Sequence, residues 1–202
     1  MRRFAQRFLL IAGIMGVGIP ACNYAALFGY QSWQNYQFDR LLMRKAVALQ
    51  PRPWSLEELA PAPVARDLIG RIAIPRLEIS AIVKEGVDNA TLGVAVGHVP
   101  YTPMPGQLGN VGVAAHRDTL FRNLKDVKRD DLITLTTPDN VYEYRVESFK
   151  VVAPTEVSVL DGSIDERILT LVTCYPFYYV GNAPRRFIVR ARQVPEFRPS
   201  TL

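Results

Sequence analysis

Residues 141–152 read VYEYRVESFKVV, and this stretch decides the fold. From Tyr142 to Glu147 the residues Tyr142, Tyr144 and Val146 alternate with Glu143, Arg145 and Glu147. That two-residue period belongs to a strand with one buried and one wet face. The preference changes face at Ser148-Phe149, which predicts a β-bulge. Just upstream, Thr137-Pro138-Asp139-Asn140 has the composition of a turn, and Asp131–Thr137 before it is a second strand. Outward from this hairpin, strands are expected at Ile69–Ile74, Ala81–Glu85, Asn110–Ala115, Ile168–Cys174 and Arg186–Arg192, separated by turn signals. Short helices fit at Asn89–Val94 and Thr119–Leu124. Seven or eight strands with so little helix predict an all-β domain over 68–194, closed into a barrel so that no edge is left exposed.

The segment ahead of this domain has a different character. Residues 8–30, FLLIAGIMGVGIPACNYAALFGY, carry no charge, and Arg2, Arg3 and Arg7 precede them. A helix of this length can cross a hydrocarbon core of about 30 Å. The arginines place residues 1–7 in the cytoplasm and everything from Gln31 onward outside. A cleaved signal peptide is the rival, and Ile19–Cys22 faintly resembles a lipoprotein processing site. The length of the run favours an uncleaved anchor. Pro20 is a candidate kink. Between anchor and barrel, 31–67 divides into a helical stalk at 32–49, with Trp33, Tyr36, Leu41, Val47 and Leu49, and a spacer rich in proline at Gln50–Arg66. Residues 195–202 form a short tail.

Charge and cysteine content exclude several functions. The net charge is +5, and removing Arg2, Arg3 and Arg7 leaves +2 (5 − 3). With no basic stripe interleaved with aromatics, nucleic-acid binding is not expected. Cys22 lies in the apolar run and Cys174 in the barrel, so the two do not pair. Cys174 is then an unpaired thiol, which is either a small core residue or a reactive group. A structural zinc site wants four ligands at paired spacings. The sequence has none, and no metal or other cofactor is expected.

Thiol chemistry needs a proton carrier. Cys174 ends the strand ILTLVTC and is followed by Tyr175-Pro176, where proline stops the ladder. His116 ends another strand, VGVAAH. A thiolate with an imidazole partner can perform acyl transfer, the thiolate attacking a carbonyl and the imidazole protonating the leaving amine. The oxyanion formed on attack needs a donor nearby, for which Arg185 and Arg186 are candidates. Strand alternation in Arg186–Arg192 puts Phe187, Val189 and Ala191 on the inward face and Arg186 outward, so Arg186 is preferred.

These blocks resemble the sortase family. TLVTC at 170–174 is similar to the strand that carries the sortase nucleophile. GHVPYTPMPGQLGNVGVAAHR at 97–117 resembles the segment ending in the proton-carrying histidine. APRRFIVRA at 183–191 resembles the closing strand with the essential arginine. The CYPF continuation and APRRF most resemble class D sortases. The resemblance implies an eight-stranded β-barrel with short helices, preceded by the transmembrane helix. It also implies a nucleophilic Cys174, a proton carrier at His116, an electrostatic role for Arg186, and Thr173 helping to frame the oxyanion or support substrate. His98 would be structural. The implied partners are a secreted or surface protein with a C-terminal sorting motif and an amine acceptor, either a cell-wall precursor or a protein amine. The apolar run and the arginines ahead of it give the expected location, the cytoplasmic membrane, crossed once. Arg52-Pro53-Trp54 has the Pro-aromatic pair of the class C lid without its acid, and no second apolar span follows the barrel, so a single-anchor enzyme is expected. A thiol hydrolase using the same Cys-His-Arg set, and an inactive membrane-tethered binding barrel, remain alternatives.

Overall fold

A computed structural model describes residues 2–48, 67–162, 165–179 and 181–195, without the side chains of residues 2–5, 8–17, 20, 47 and 48. Eight strands follow a long helix, α1 (Arg2–Ala48): β1 (Leu68–Ile74), β2 (Ile79–Glu85), β3 (Val96–His98), β4 (Gly109–Ala114), β5 (Leu132–Thr136), β6 (Val141–Val152), β7 (Arg167–Tyr175) and β8 (Arg185–Gln193). A short helix, α2 (Asn89–Val94), sits between β2 and β3, and single 3-10 turns lie at Pro75–Leu77, Arg122–Asp126 and Val157–Leu160. The strands close into a barrel in the order β1-β2-β3-β4-β7-β8-β6-β5. Two pairs, β2–β3 and β4–β7, are parallel. The predicted bulge is present, as a register shift between Val146 and Ser148 where β6 meets β8.

Inward-facing residues fill the barrel. Ile72, Ile74, Val83, Val111, Val113, Leu135, Tyr144, Leu169, Leu171 and Val189 form one buried cluster. Burying a side chain of that size contributes about 1.5–3 kcal/mol. β3 was not foreseen, because three residues centred on a glycine carry no readable period. Gly97 is required there, since a Cβ would lie 2.2 Å from the Gly86 carbonyl oxygen. The helix expected at Thr119–Leu124 is instead the 3-10 turn at Arg122–Asp126.

α1 departs most from expectation. It is one helix from Arg2 to Ala48, running through Pro20, with no break between anchor and stalk. Its second half lies against the barrel wall. Gln31 is 8% exposed, donates from Nε2 to Val94 O, and accepts at Oε1 from Ile82 N at 3.0 Å. Phe38 is completely buried beneath the Arg71 guanidinium, which pairs with Asp39 at 3.0 Å. Lys45 pairs with Asp139, and Tyr24 donates to Asp118 O at 3.1 Å. The docked face is therefore Gln31, Gln34 and Phe38, spaced i, i+3, i+7, while Trp33 and Tyr36 are more than half exposed. The final residues of the expected 8–30 span are thus apposed to the barrel. Among the described residues no helix is long and apolar enough to cross a membrane. The side chains of residues 8–17, where the apolar run is densest, lie outside that description. The proline spacer, the Arg52-Pro53-Trp54 segment and the tail from 196 onward also lie outside the described residues.

Candidate active site

Strand register brings the predicted residues together. β7 is flanked by β4 on one side and β8 on the other. In the parallel β4–β7 pair Ala114 stands beside Val172, and the Ala115 N–H continues the ladder to Val172 O at 3.2 Å. His116 therefore follows level with Cys174. In the antiparallel β7–β8 pair Cys174 is directly opposite Arg186. Alternation sets the face: Val111, Val113 and Ala115 of the β4 strand line the core, as do Leu169 and Leu171 of β7 and Phe187, Val189 and Ala191 of β8. His116, Cys174 and Arg186 have the opposite parity in their strands and share the outer face. All three are half-buried. Arg185 is exposed and opposite Tyr175.

Thr173 points the other way. It is 2% exposed, and its hydroxyl donates to Ala115 O at 2.7 Å. The structure thus commits this side chain to the strand carrying His116 and does not bring its hydroxyl to the outer face. Arg186 Nη1 donates to Ala183 O at 3.2 Å and to Arg185 O at 3.0 Å, which aligns the guanidinium along the strand start.

Sequence reasoning missed Arg117. Its Nη2 donates to Tyr179 O at 2.6 Å and Gly181 O at 3.1 Å. It ties the segment after His116 to the loop between β7 and β8, and so braces the two sides of the site. The arginine was visible beside His116, but its carbonyl partners have no sequence signature. Lys125 adds a second tie, donating to the Tyr178 hydroxyl at 2.6 Å.

Below these three residues the outer face of β4 and β7 is covered. A Cβ at Gly112 would lie 2.9 Å from Leu160 Cδ2 and 3.1 Å from Val99 Cβ. Its absence lets the segments after β3 and before β7 close over the sheet. Asn110 fixes the second of these, donating to Val159 O and Asp161 O at 3.1 and 3.2 Å. His98 is a buried brace, 2% exposed, with Nδ1 2.8 Å from Glu85 and Nε2 3.1 Å from Pro103 O and Thr102 Oγ1. A cleft of about 160 Å³ continues along the outer face past Ile188 and Arg190. A larger cleft of about 480 Å³ lies at the opposite barrel end, lined by Tyr142, Glu166, Arg167 and Arg192. Its lining holds no cysteine or histidine, so it lacks the residues for thiol chemistry. Among the described residues no group of three or more His, Cys, Asp or Glu is placed to hold a metal ion.

Comparisons with known proteins identify the domain. A family model described as the Sortase domain matches residues 72–194, more than half of the chain. Sortase D of Bacillus subtilis is 32% identical over 125 residues, covering 62% of this chain and 63% of that protein. Sortase A of Listeria monocytogenes is 38% identical over 111 residues, covering 53% and 49%. The chain thus spans about half to two-thirds of the length of these relatives. Among solved structures, the Sortase D5 transpeptidase of Clostridium perfringens superposes with a TM-score of 0.62 at 27% identity, covering 79% of this chain and 95% of that one. A lid mutant of Corynebacterium diphtheriae sortase A gives 0.62 at 26% identity, covering 87% and 95%. With the domain model spanning the barrel and class D relatives among the matches, the chain belongs to the sortase family, whose members are cysteine transpeptidases.

Proposed function

We propose that this chain is a membrane-anchored cysteine transpeptidase acting on a sorting motif near the C-terminus of secreted or surface proteins. The observation that carries it is the register that sets Cys174 between His116 and Arg186 on one face. The Cys174 thiolate attacks the carbonyl carbon of a threonine in the motif, and the carbonyl π pair moves onto oxygen. The Arg186 donors, already aligned by Ala183 O and Arg185 O, stabilise that charge. As the C–N bond breaks, the His116 imidazolium gives its proton to the leaving amine, and a thioacyl enzyme remains. An incoming amine, from a cell-wall precursor or a protein, then passes a proton to His116 and expels the thiolate. The cleft on the same outer face past Ile188 and Arg190 would receive the extended peptide.

The anchor is the apolar run of α1. Because Tyr24 is bonded to the barrel, its outer boundary falls before Tyr24 and not at Tyr30. Three arginines ahead of it support a cytoplasmic N-terminus and an external barrel.

The test is mass spectrometry of the full chain after incubation with a sorting-motif peptide, with and without an added amine. An adduct on Cys174 that transfers to the amine is expected. An adduct released only to water would make the enzyme a hydrolase, and no adduct at all would make it a binding barrel.

A further inference from the structure

We infer that α1 holds the barrel with its catalytic end against the bilayer, so that the rim around Cys174 is a lipid-facing surface. The inference rests on the membrane-anchor assignment above. Its basis is the path of the helix across the wall. Tyr24 touches Asp118, two residues beyond His116. Gln31 reaches Ile82 in the middle of β2, Asp39 meets Arg71 in β1, and Lys45 meets Asp139 in the β5–β6 turn. β6 starts beside that turn and ends where Val152 faces Arg186, so Asp139 and Cys174 occupy opposite ends of the barrel. Descending residue numbers in α1 therefore climb towards the catalytic end. The uncharged residues 8–23 continue past it for about 24 Å, most of the ~30 Å of a hydrocarbon core, with Arg2, Arg3 and Arg7 beyond them for the far headgroup layer. The helix is continuous and pinned at four levels, so the barrel cannot turn its catalytic end away without undocking α1.

The chemistry of the two ends fits this placement. Residues 117–130 hold five Lys or Arg against three Asp, and 175–186 hold two Arg and no acid. Tyr178 and Tyr179 stand out at 78% and 47% exposure, with Lys125 against the Tyr178 ring. Amphipathic aromatics beside basic side chains suit an anionic headgroup layer. At the far end Asp165 and Glu166 stand beside Arg167 and Arg192, with Glu166 paired to Arg192 at 2.7 Å, so no net basic patch faces that way.

The test uses the full chain with Cys22→Ser and Cys174→Ala, carrying one new cysteine labelled with a fluorophore. Asn182→Cys reports on the loop between β7 and β8, and Val141→Cys on the far end. The protein is inserted into phosphatidylglycerol vesicles bearing a headgroup quencher. Loss of fluorescence at 182 and none at 141 is expected. If the protein resists alkaline carbonate extraction yet 182 is unquenched, or 141 is quenched instead, the orientation is refuted while the anchor stands. If carbonate releases the protein, the anchor itself is refuted, and the orientation with it.

Discussion

Replacing Thr173 by valine separates two roles that its position would allow. The side chain is β-branched in both cases and nearly the same size, so no cavity opens. What is lost is the donor to Ala115 O, a carbonyl held at 2.7 Å by a hydroxyl that is itself 2% exposed. Leaving such a carbonyl unpaired costs about 1–3 kcal/mol. A fall of about 2 kcal/mol in unfolding free energy is therefore expected, or roughly a 30-fold loss in the folding constant. Because the hydroxyl braces the His116 strand from the inner face, acylation should slow by less than about tenfold, the effect of a positioning contact and not of an oxyanion donor. Thr173→Ser keeps the donor and should recover most of both quantities. Urea unfolding of the full chain in detergent gives the stability, and single-turnover acylation with a motif peptide gives the rate. Unchanged stability combined with a rate loss of about 10²-fold or more would refute the inward, bracing role and return Thr173 to the oxyanion site.

Arg186→Ala should slow acylation by roughly 10²–10³-fold, with Arg186→Lys recovering little because an ammonium lacks the planar fork. Arg185→Ala, exposed and opposite Tyr175, should stay near wild type, and the reverse pattern in single-turnover kinetics would exchange the two assignments. Cys174→Ala should abolish adduct formation for about 1 kcal/mol of stability, whereas Cys22→Ala leaves activity unchanged; mass spectrometry and a melting curve check both. Asp131, almost buried, is held below the ordinary carboxylate range by its hydrogen bonds from the Arg76 guanidinium and by the Lys128 N–H. Its folded-state pKa is depressed, so its stabilisation is complete above about pH 4 and lost as pH falls through the lower folded value. Asp131→Asn should therefore narrow its deficit against wild type on acidification below pH ~4; a deficit that does not change with pH would show that the ion pair contributes nothing.

The barrel was legible where local period and hydrophobicity coincide. β6 announced both its alternation and its bulge, and β7 and β8 were placed within one residue at each end. The outward set of His116, Cys174 and Arg186 followed from alternation and strand ends. β3 was not legible, because its register comes from parallel pairing with β2 and from the close approach that Gly97 permits. The docking of α1 was hidden for a related reason. Its buried face uses Gln31, whose amide bonds Val94 O and Ile82 N of the barrel, and Gln34, which donates to Tyr30 of the same helix, while the aromatics Trp33 and Tyr36 that mark an apolar stripe point to solvent. Arg117 sat in plain view beside His116, yet its function depends on the carbonyls of Tyr179 and Gly181, and backbone acceptors leave no mark on composition.

The parallel pairing of β4 with β7 also bears on when the enzyme becomes dangerous. Two antiparallel neighbours joined by a tight hairpin would carry their C-terminal residues to opposite ends of the barrel. Parallel neighbours carry them to the same end, but only across a long crossover. Here Thr173 and Ala115 meet over a sequence separation of 58, with β5 and β6 threaded through the interval. Such a contact forms slowly, since chain closure must precede any reward from the pairing. A folding chain thus carries its thiol and its imidazole far apart until the barrel has shut. Topology itself keeps the Cys174 thiol and the His116 imidazole apart in half-made molecules.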